Sequence, residues 1–254
     1  MLTEKRQEEI VRLVYERESI TVAELKEILH SSESTIRRDI IALDQEGRLT
    51  KVFGGAIALR TAQIVNKELS MVQKKDLQTA EKQAIARYAA SLIEPDDCVY
   101  LDAGTSTGWM IEYIREAQAT YVTNALSHAK RLADKGFHVI LIGGEPKSST
   151  DAIVGAEAVV NLQKYHFSKG FFGNGVEQNG GFTTPDAREA MVKQTAVKNT
   201  QLANRYFLAT SSKFGEVYAV TFAGFEGGVI LTEAPVQESL PKSVRVVNVN
   251  QPEQ

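Results

Sequence analysis

The chain has 254 residues, of which 43% are hydrophobic and 24% are charged, as in ordinary folded globular proteins. Its net charge of −3 excludes a uniformly basic surface, so any contact with nucleic-acid phosphates must come from a local basic patch. A single cysteine excludes a disulfide framework, and no apolar run reaches the roughly 18 residues that a membrane helix needs. We therefore expect a cytoplasmic protein without a membrane partner.

Short amphipathic helices are predicted in residues 1–57. Thr21 and Glu24 have the spacing of a capping box, which starts a second helix, and Ser32 and Gly47 are residue types that start and end a third. Apolar residues three and four positions apart mark the inner faces of the first two helices: Ile10, Leu13, Val14, Val22, Leu25, Ile28 and Leu29.

The third helix presents an outward face without carboxylates in an otherwise acidic chain. Its buried stripe is formed by Ile36, Ile40 and Leu43, and the opposite face offers hydroxyl, amide and guanidinium groups. Such groups contact phosphate oxygens and base edges in the DNA major groove. A short basic strand, residues 49–53, follows and is expected to end at two glycines. The candidate DNA-binding residues are Ser34, Thr35, Arg37, Arg38, Arg48 and Lys51.

These charges also have a structural interpretation. Arg37 and Arg38 could belong to a solvated helix surface on which they pair with neighbouring carboxylates such as Glu33. Arg48 and Lys51 remain open between phosphate contacts and plain surface charge. Three short helices with a tight break before the third, followed by a basic strand, are nevertheless the arrangement of a winged helix-turn-helix. The first 57 residues are therefore predicted to form a DNA-binding domain.

The same strings resemble a known family. The string SESTIRRD, the stop at Gly47 and the string FGGA resemble the DNA-binding domain of the DeoR family of bacterial sugar-operon repressors. The resemblance covers residues 3–56 without a gap and implies binding to double-stranded operator DNA. The family usually has His where this chain has Phe53, so the imidazole contact at the wing tip does not carry over. Because helix-turn-helix proteins usually bind two half-sites, we expect a homodimer or tetramer.

The remaining chain, residues 74–254, alternates strand-like and helical segments. The strand-like segments are CVYLD, TYVTN, HVILIGG, KGFFGNG, RYFLATSSK, GGVILT and VRVVNVN. Such alternation predicts an α/β domain with a mostly parallel sheet covered on both faces. Residues 58–73 have no comparable pattern and are predicted to be a linker.

Polar and glycine-rich turns fall at the carboxyl ends of these strands, where ligands bind in open α/β sheets. Residues 102–108 run into a helix predicted to begin near Trp109, and N–H groups at a helix N-terminus bind phosphate. Lysine side chains can add a cation. The candidate ligand-binding residues are Asp102, Gly104, Thr105, Ser106, Thr107, Thr123, Asn124, Gly143, Gly144, Gly173, Asn174, Lys193 and Lys213.

Each of these features also has a structural interpretation. Glycines satisfy turn geometry, and Lys193 and Lys213 could be solvated side chains. Asp102 could contact sugar hydroxyls or act as a base on a sugar, and we favour the binding role. The four histidines lack metal-ligand spacing, and the 102–108 turn matches neither a Walker A loop nor a dinucleotide-binding loop. We therefore predict no catalytic residue, no metal and no cofactor.

The segments LDAGTST, VTNA, GGFTTPDAREAMVKQ and SSKFG resemble the DeoR-family sensor domain, in the family's order. That domain's sheet is similar to ribose-5-phosphate isomerase, so the resemblance implies a repressor that a phosphosugar releases from its operator. The N-terminal strings are most similar to the fructose-operon repressors of Gram-positive bacteria, which implies fructose 1-phosphate. The alternative is a phosphosugar isomerase-like enzyme with an appended DNA-binding domain. Thr210 weakens that alternative, because the family commonly has Asp at this position.

Overall fold

The computed structural model describes residues 3–17, 19–58, 63–64, 77–177, 180–236, 240–241 and 243–251. The chain divides into two compact units, Met1–Thr61 and Ala62–Gln254. Most of the predicted linker, residues 59–62 and 65–73, lies outside the described residues. None of the helices in the described ranges is both long enough and apolar enough to cross a membrane.

The first unit consists of three helices and a small antiparallel sheet in the order β1-β3-β2. Its elements are α1 (Thr3–Arg17), β1 (Ser19–Thr21), α2 (Val22–Leu29), α3 (Glu33–Gln45), β2 (Thr50–Val52) and β3 (Gly55–Ile57). The predicted capping box is present, because Thr21 Oγ1 accepts the N–H of Glu24 and Glu24 accepts the N–H of Thr21 at 2.8 Å. Ser32 caps α3, and Gly47 ends it with a φ of +66°. The caps therefore set the helix boundaries that the sequence predicted.

One expectation for this unit is wrong. Ile28 is 39% exposed, because the inner face of α2 is formed by Val22, Leu25 and Leu29. The predicted strand ends before the two glycines, as β2 (Thr50–Val52), and Gly55 begins a further strand, β3, that was not predicted. A Cβ atom there would lie 2.3 Å from the carbonyl oxygen of Ile20, so a glycine is what allows β1 to approach β3.

The buried side of α3 is also fixed by charge. The inner faces of α1 and α3 meet through Ile10, Leu13 and Ile36, all at most 4% exposed. Asp39 lies on this side and pairs with Arg6 of α1, with Nε and Oδ2 2.6 Å apart. Because Asp39 lies on the buried side, its carboxylate adds no negative charge to the outward face of α3.

The second unit contains five helices and fourteen strands within the described residues. They are β4 (Gln63–Ile64), α4 (Thr79–Ser91), β5 (Cys98–Leu101), α5 (Thr105–Tyr113), β6 (Thr120–Thr123), α6 (Leu126–Asp134), β7 (His138–Leu141), β8 (Glu145–Lys147), β9 (Ala152–Val154), α7 (Ala156–Leu162), β10 (Lys169–Gly173), β11 (Gly175–Glu177), β12 (Gly181–Thr184), α8 (Ala187–Lys198), β13 (Arg205–Leu208), β14 (Glu216–Val217), β15 (Val220–Ala223), β16 (Gly228–Thr232) and β17 (Arg245–Asn248).

The central sheet confirms the predicted parallel architecture. Its seven strands pair in parallel in the order β17-β16-β13-β10-β5-β6-β7, and all seven had been predicted. Alternate side chains of β5 enter different cores: Tyr100 packs with α7 and α8, whereas Val99 and Leu101 pack with α4 and α5. Helices therefore cover both faces, as parallel sheets require.

The smaller sheets were not predicted. Strands β11, β12 and β15 form an antiparallel sheet, β8 and β9 form a hairpin, and β4 pairs with β14. Gln63–Ile64, within the predicted linker, is therefore a strand that pairs in parallel with Glu216–Val217. These strands have two to four residues, too few for a periodic pattern to identify.

Candidate functional site

The two arginines on α3 lie in different environments. Arg38 is exposed and has no ion-pair partner in the part of the chain that the structure describes. Arg37 pairs with Glu33 at 2.7 Å, as the surface-charge interpretation expected. Both members of that pair are more than half exposed, and such helix pairs contribute only about 0.3–0.5 kcal/mol. A DNA phosphate can therefore replace Glu33 as the partner of Arg37 at small cost.

Ser34 and Thr35 lie in the first turn of α3. The Oγ of Ser32 accepts the N–H of Thr35 at 3.2 Å and is 3.0 Å from the Ser34 hydroxyl and 2.8 Å from the Thr35 hydroxyl. This places three hydroxyl groups at the positive end of a helix dipole. Hydroxyls and N–H groups at such a position are typical contacts to DNA phosphates.

The β2–β3 hairpin forms the wing. Phe53 lies in its turn and is fully exposed. Lys51 is exposed, and its N–H donates to Asp44 at 2.8 Å, which ties the wing to the end of α3. Arg48 is 3.7 Å from Glu46, a distance that marks a weak ion pair. The wing thus offers the aromatic ring of Phe53 and the ammonium group of Lys51, which has no ion-pair partner among the described residues, to a partner.

The phosphate-type turn in the second unit is shorter than the sequence predicted. Helix α5 begins at Thr105 rather than near Trp109, and Gly104 is its N-cap residue. The N–H groups of Thr105 and Ser106 therefore belong to the first turn, where they have no intrahelical acceptor. Together with the helix dipole they form an anion-binding end.

Asp102 organises this turn. Its Oδ1 accepts the N–H of Gly104 at 2.9 Å and the hydroxyl of Thr107 at 2.8 Å, and its Oδ2 accepts the N–H of Gly173 at 2.7 Å. The Nζ of Lys193, from α8, donates to the same Oδ2 and to the carbonyl of Gly173 at 2.9 Å. Asp102 is 1% exposed, so these contacts compensate for its burial. The structure thus joins five predicted residues into one network.

This network lies at the topological switch point of the sheet. From β5 the chain moves outward through β6 to β7, whereas from β10 it moves outward in the opposite direction. Asp102 follows β5 and Gly173 ends β10, so the two halves diverge between them. A Cβ atom on Gly104 would lie 2.8 Å from Asp102 Oδ1 and 3.4 Å from the Cα of Gly173, so only glycine fits between the two loops. Ligands of open α/β sheets bind in this crevice.

The other predicted residues are not joined to the network by hydrogen bonds in the described part of the chain. Thr123 is fully buried, and the Asn124 amide bonds to the Tyr100 hydroxyl at 2.9 Å and to the Ile153 carbonyl at 3.0 Å. Gly143 and Gly144 are exposed after β7. Asn174 differs from these residues, because its Oδ1 is buried and accepts no hydrogen bond from the described residues.

Lys213 forms a separate cluster. Its Nζ is 2.6 Å from Glu216 and 2.8 Å from the Tyr218 hydroxyl. Burial opposes the charged form, but Tyr218 and Glu216 hold the pKa of Lys213 above its ordinary value. Lys213 is therefore a charged ammonium group, although its charge is already balanced by Glu216. Thr210 is buried, and its hydroxyl donates to Gln78 at 2.9 Å.

Sequence reasoning missed a further polar cluster beside α8. Glu189 Oε1 accepts the Thr150 hydroxyl at 2.7 Å and the Lys147 ammonium at 3.1 Å, and Lys147 also pairs with Asp186 at 3.1 Å. A usable signal was present, because Glu189 precedes Lys193 by one helical turn and residues four apart share a face.

His128 is a buried titratable residue that the sequence did not identify as a candidate. It is 1% exposed on α6, and its Nε2 would lie 2.8 Å from a Cβ atom on Gly108. Its Nδ1 has no hydrogen-bond partner among the described residues. Burial lowers the pKa of His128 to about 4, so the imidazole is neutral at physiological pH.

Comparison with known proteins agrees with this division into two parts. A DeoR-like helix-turn-helix domain matches residues 6–62, and the DeoR C terminal sensor domain matches residues 77–231. Among solved structures, ribose 5-phosphate isomerase A from Neisseria gonorrhoeae is 10% identical, with 58% of this chain and 56% of that chain covered and a TM-score of 0.38. The eIF2B delta of Chaetomium thermophilum is 16% identical, with 56% and 52% covered and a TM-score of 0.41.

The chain is also similar to curated bacterial regulators. It is 40% identical over 234 residues to the uncharacterized HTH-type transcriptional regulator FruR of Bacillus subtilis (strain 168), and 91% of each chain is covered. It is 39% identical to the lactose phosphotransferase system repressor of Staphylococcus aureus (strain N315), with 84% of each covered, and 37% identical to that of Streptococcus mutans, with 85% and 86% covered. These matches, together with the winged helix and the parallel sheet, show that the chain belongs to the DeoR family of sugar-operon transcriptional repressors.

Proposed function

We propose that this repressor binds double-stranded operator DNA through the outward face of α3 and the wing. The observation that carries the proposal is the exposed Arg38, which no carboxylate neutralises in the described residues. An unpaired guanidinium group can bind a guanine edge or a phosphate without first breaking an ion pair. Arg37 and Lys51 flank it as phosphate contacts, and two subunits bind two half-sites about one helical turn apart, or multiples of that distance.

The proposed effector is a phosphorylated sugar that binds at the switch point and releases the operator. Its phosphate faces the N–H groups of Thr105 and Ser106, because the α5 N-terminus carries positive partial charge. Lys193 adds a cation at this end of the pocket. Asp102 is fully engaged by protein donors, so we assign it the role of holding the turn and Lys193 in place. Thr107 has the same role, because its buried hydroxyl bonds to Asp102.

Fructose 1-phosphate is our leading effector, on the resemblance of the N-terminal strings to fructose-operon repressors. The chemistry of these residues does not distinguish fructose 1-phosphate from tagatose 6-phosphate, so both are tested. We assign no catalysed reaction to the chain. The Asp102 carboxylate is occupied by protein donors, and Thr210 stands where the family commonly has Asp, so a paired acid and base is not supported.

The test is a thermal-shift panel of phosphosugars and unphosphorylated sugars on the purified repressor. A ligand at about 100 times its Kd stabilises the protein by about 2.7 kcal/mol, which is a visible shift. A shift confined to phosphorylated sugars supports the proposal, and the same ligand should then lower operator affinity in a gel-shift titration. If no phosphosugar shifts the melting temperature, the effector part of the proposal fails, and operator binding must be judged separately.

A further inference from the structure

A partly satisfied carboxylate lies on the same helix face as Lys193. Glu189 is in the first turn of α8, and its side chain is 12% exposed. Its Oε1 accepts two hydrogen bonds, from Thr150 and Lys147. Its Oε2 has no hydrogen-bond partner among the described residues. That oxygen can therefore accept a further hydrogen bond.

The position of Glu189 relates this oxygen to the phosphate-type turn. Glu189 and Lys193 are one turn apart on α8, and the Lys193 ammonium reaches Asp102. Tyr100 supports the same placement from the sheet: after burial, the carboxylates of Asp102 and Glu189 are the groups that raise its pKa. Lys193 and the α5 N-terminus thus meet at Asp102 at the switch point, and Glu189 lies one helical turn from Lys193.

The charges around Glu189 differ from those around Lys193. At the Glu189 end, Lys147 is 3.1 Å from both Asp186 and Glu189, and Arg188 is 3.5 Å from Asp186. Two cations thus match the two carboxylates, so this end has no surplus positive charge to attract a phosphate. At the other end, Lys193 balances Asp102, and the helix dipole adds positive potential. A phosphosugar is thereby oriented with its phosphate at α5 and its hydroxyl groups towards Glu189.

The structural interpretation is that Glu189 only fastens the β8–β9 hairpin to α8. That role accounts for Oε1, which takes both Thr150 and Lys147, but it leaves Oε2 unused. A neutral amide at this position could still accept the Thr150 hydroxyl, so fastening and ligand binding can be separated by mutation.

We propose that Glu189 accepts hydrogen bonds from the sugar hydroxyls of the effector and so discriminates a phosphosugar from phosphate alone. This proposal rests on the proposed phosphosugar-sensing function. A carboxylate that accepts a hydroxyl in a partly buried pocket gives a charge-assisted hydrogen bond. The Lys147 contact holds the carboxylate in one orientation whether or not the Thr150 hydroxyl is present, and a fixed orientation is what selective recognition requires.

The experiment compares the parent repressor with Glu189→Gln and with the control Thr150→Val, which removes the fastening hydroxyl but keeps the carboxylate. Isothermal titration measures fructose 1-phosphate and tagatose 6-phosphate, and thermal shift at high concentration measures inorganic phosphate. For the phosphosugar that the parent binds, Glu189→Gln should lower affinity by about 10-fold to 100-fold, the effect of losing a hydrogen bond to a charged group. Its response to inorganic phosphate should be unchanged, and Thr150→Val should keep phosphosugar affinity within about threefold.

Three other results would contradict the proposed role of Glu189 or the proposed function. If Glu189→Gln binds the phosphosugar as well as the parent does, Glu189 has no role in recognition. If Glu189→Gln and Thr150→Val lose the phosphosugar and inorganic phosphate to the same extent, the cluster only fastens the hairpin. If the parent binds neither phosphosugar, the proposed function itself fails, and the role of Glu189 fails with it. Melting temperatures without ligand check that both variants fold.

Discussion

Replacing Arg38 with Ala should weaken operator binding and leave the sensor domain unchanged. Arg38 is exposed on the outward face of α3, and no described residue forms an ion pair with it. Its removal therefore breaks no ion pair or hydrogen bond among the described residues. The free energy of unfolding should change by less than about 0.5 kcal/mol, as for other surface substitutions.

The loss of DNA affinity follows from the contact that is removed. A guanidinium group that reads a base edge contributes about 1–3 kcal/mol of discrimination, or about 5-fold to 150-fold in Kd. A repressor that binds two half-sites loses this contribution twice. Arg37→Ala should weaken DNA binding less than Arg38→Ala does. Arg37 is in an ion pair with Glu33, and that pair must break before Arg37 can bind DNA, which reduces the net gain from its DNA contact.

The assay is fluorescence anisotropy at fixed ionic strength on a duplex selected by the parent from a random pool. Arg12→Ala is the control for the loss of one exposed helical arginine. Arg12 lies on α1, outside the proposed DNA-binding face, and forms ion pairs with Glu9 and Glu16. Arg12→Ala should bind as the parent does. If Arg38→Ala bound the selected duplex with the parent's affinity at the same salt concentration, α3 would not be the recognition helix.

Three further variants test other parts of the molecule. Phe53→Ala should weaken operator binding severalfold without lowering the melting temperature, because the ring is fully exposed at the wing tip, and gel-shift titration would show it. Lys193→Met should lower the free energy of unfolding by about 3–5 kcal/mol, because it leaves Asp102 buried without its cation, and urea titration would measure the loss. Burial lowers the pKa of His128 to about 4 from 6.5, so the unfolded chain takes up this proton first as the pH falls. Its contribution to stability is then lost between pH 6.5 and 4, by about 2 kcal/mol at pH 5, and urea titrations of His128→Gln should lack this loss.

The features that sequence predicted best are those encoded locally. All seven strands of the parallel sheet were predicted, because each is a compact apolar run between turn residues. The capping box at Thr21 and the cap at Ser32 were predicted because capping depends on residues two or three positions apart. The outward face of α3 follows from helical periodicity alone.

The features that sequence missed depend on contacts between distant residues. Helix α5 begins at Thr105, yet small hydroxyl residues resemble a loop until the Thr107 side chain is seen to hold the turn against Asp102. The bond from Thr150 to Glu189 joins residues 39 apart, and the bond from Lys193 to Asp102 joins residues 91 apart. No local pattern records such pairs, so the candidate positions could be predicted but their partners could not.

The distribution of charge also limits how strongly salt can affect operator binding. Each phosphate contact on duplex DNA lowers the slope of log K against log salt by about 0.9. The DNA-binding face of this chain provides four candidate cations, Arg37, Arg38, Arg48 and Lys51, so one subunit should give a slope no steeper than about −3.6 and a dimer about −7. The net charge of −3 leaves little additional attraction from the rest of the molecule. A titration from about 50 to 300 mM salt measures the slope, and Lys51→Ala should make it shallower by about 0.9 per subunit. A slope well beyond −7 for a dimer would mean that phosphate contacts come from residues outside α3 and the wing.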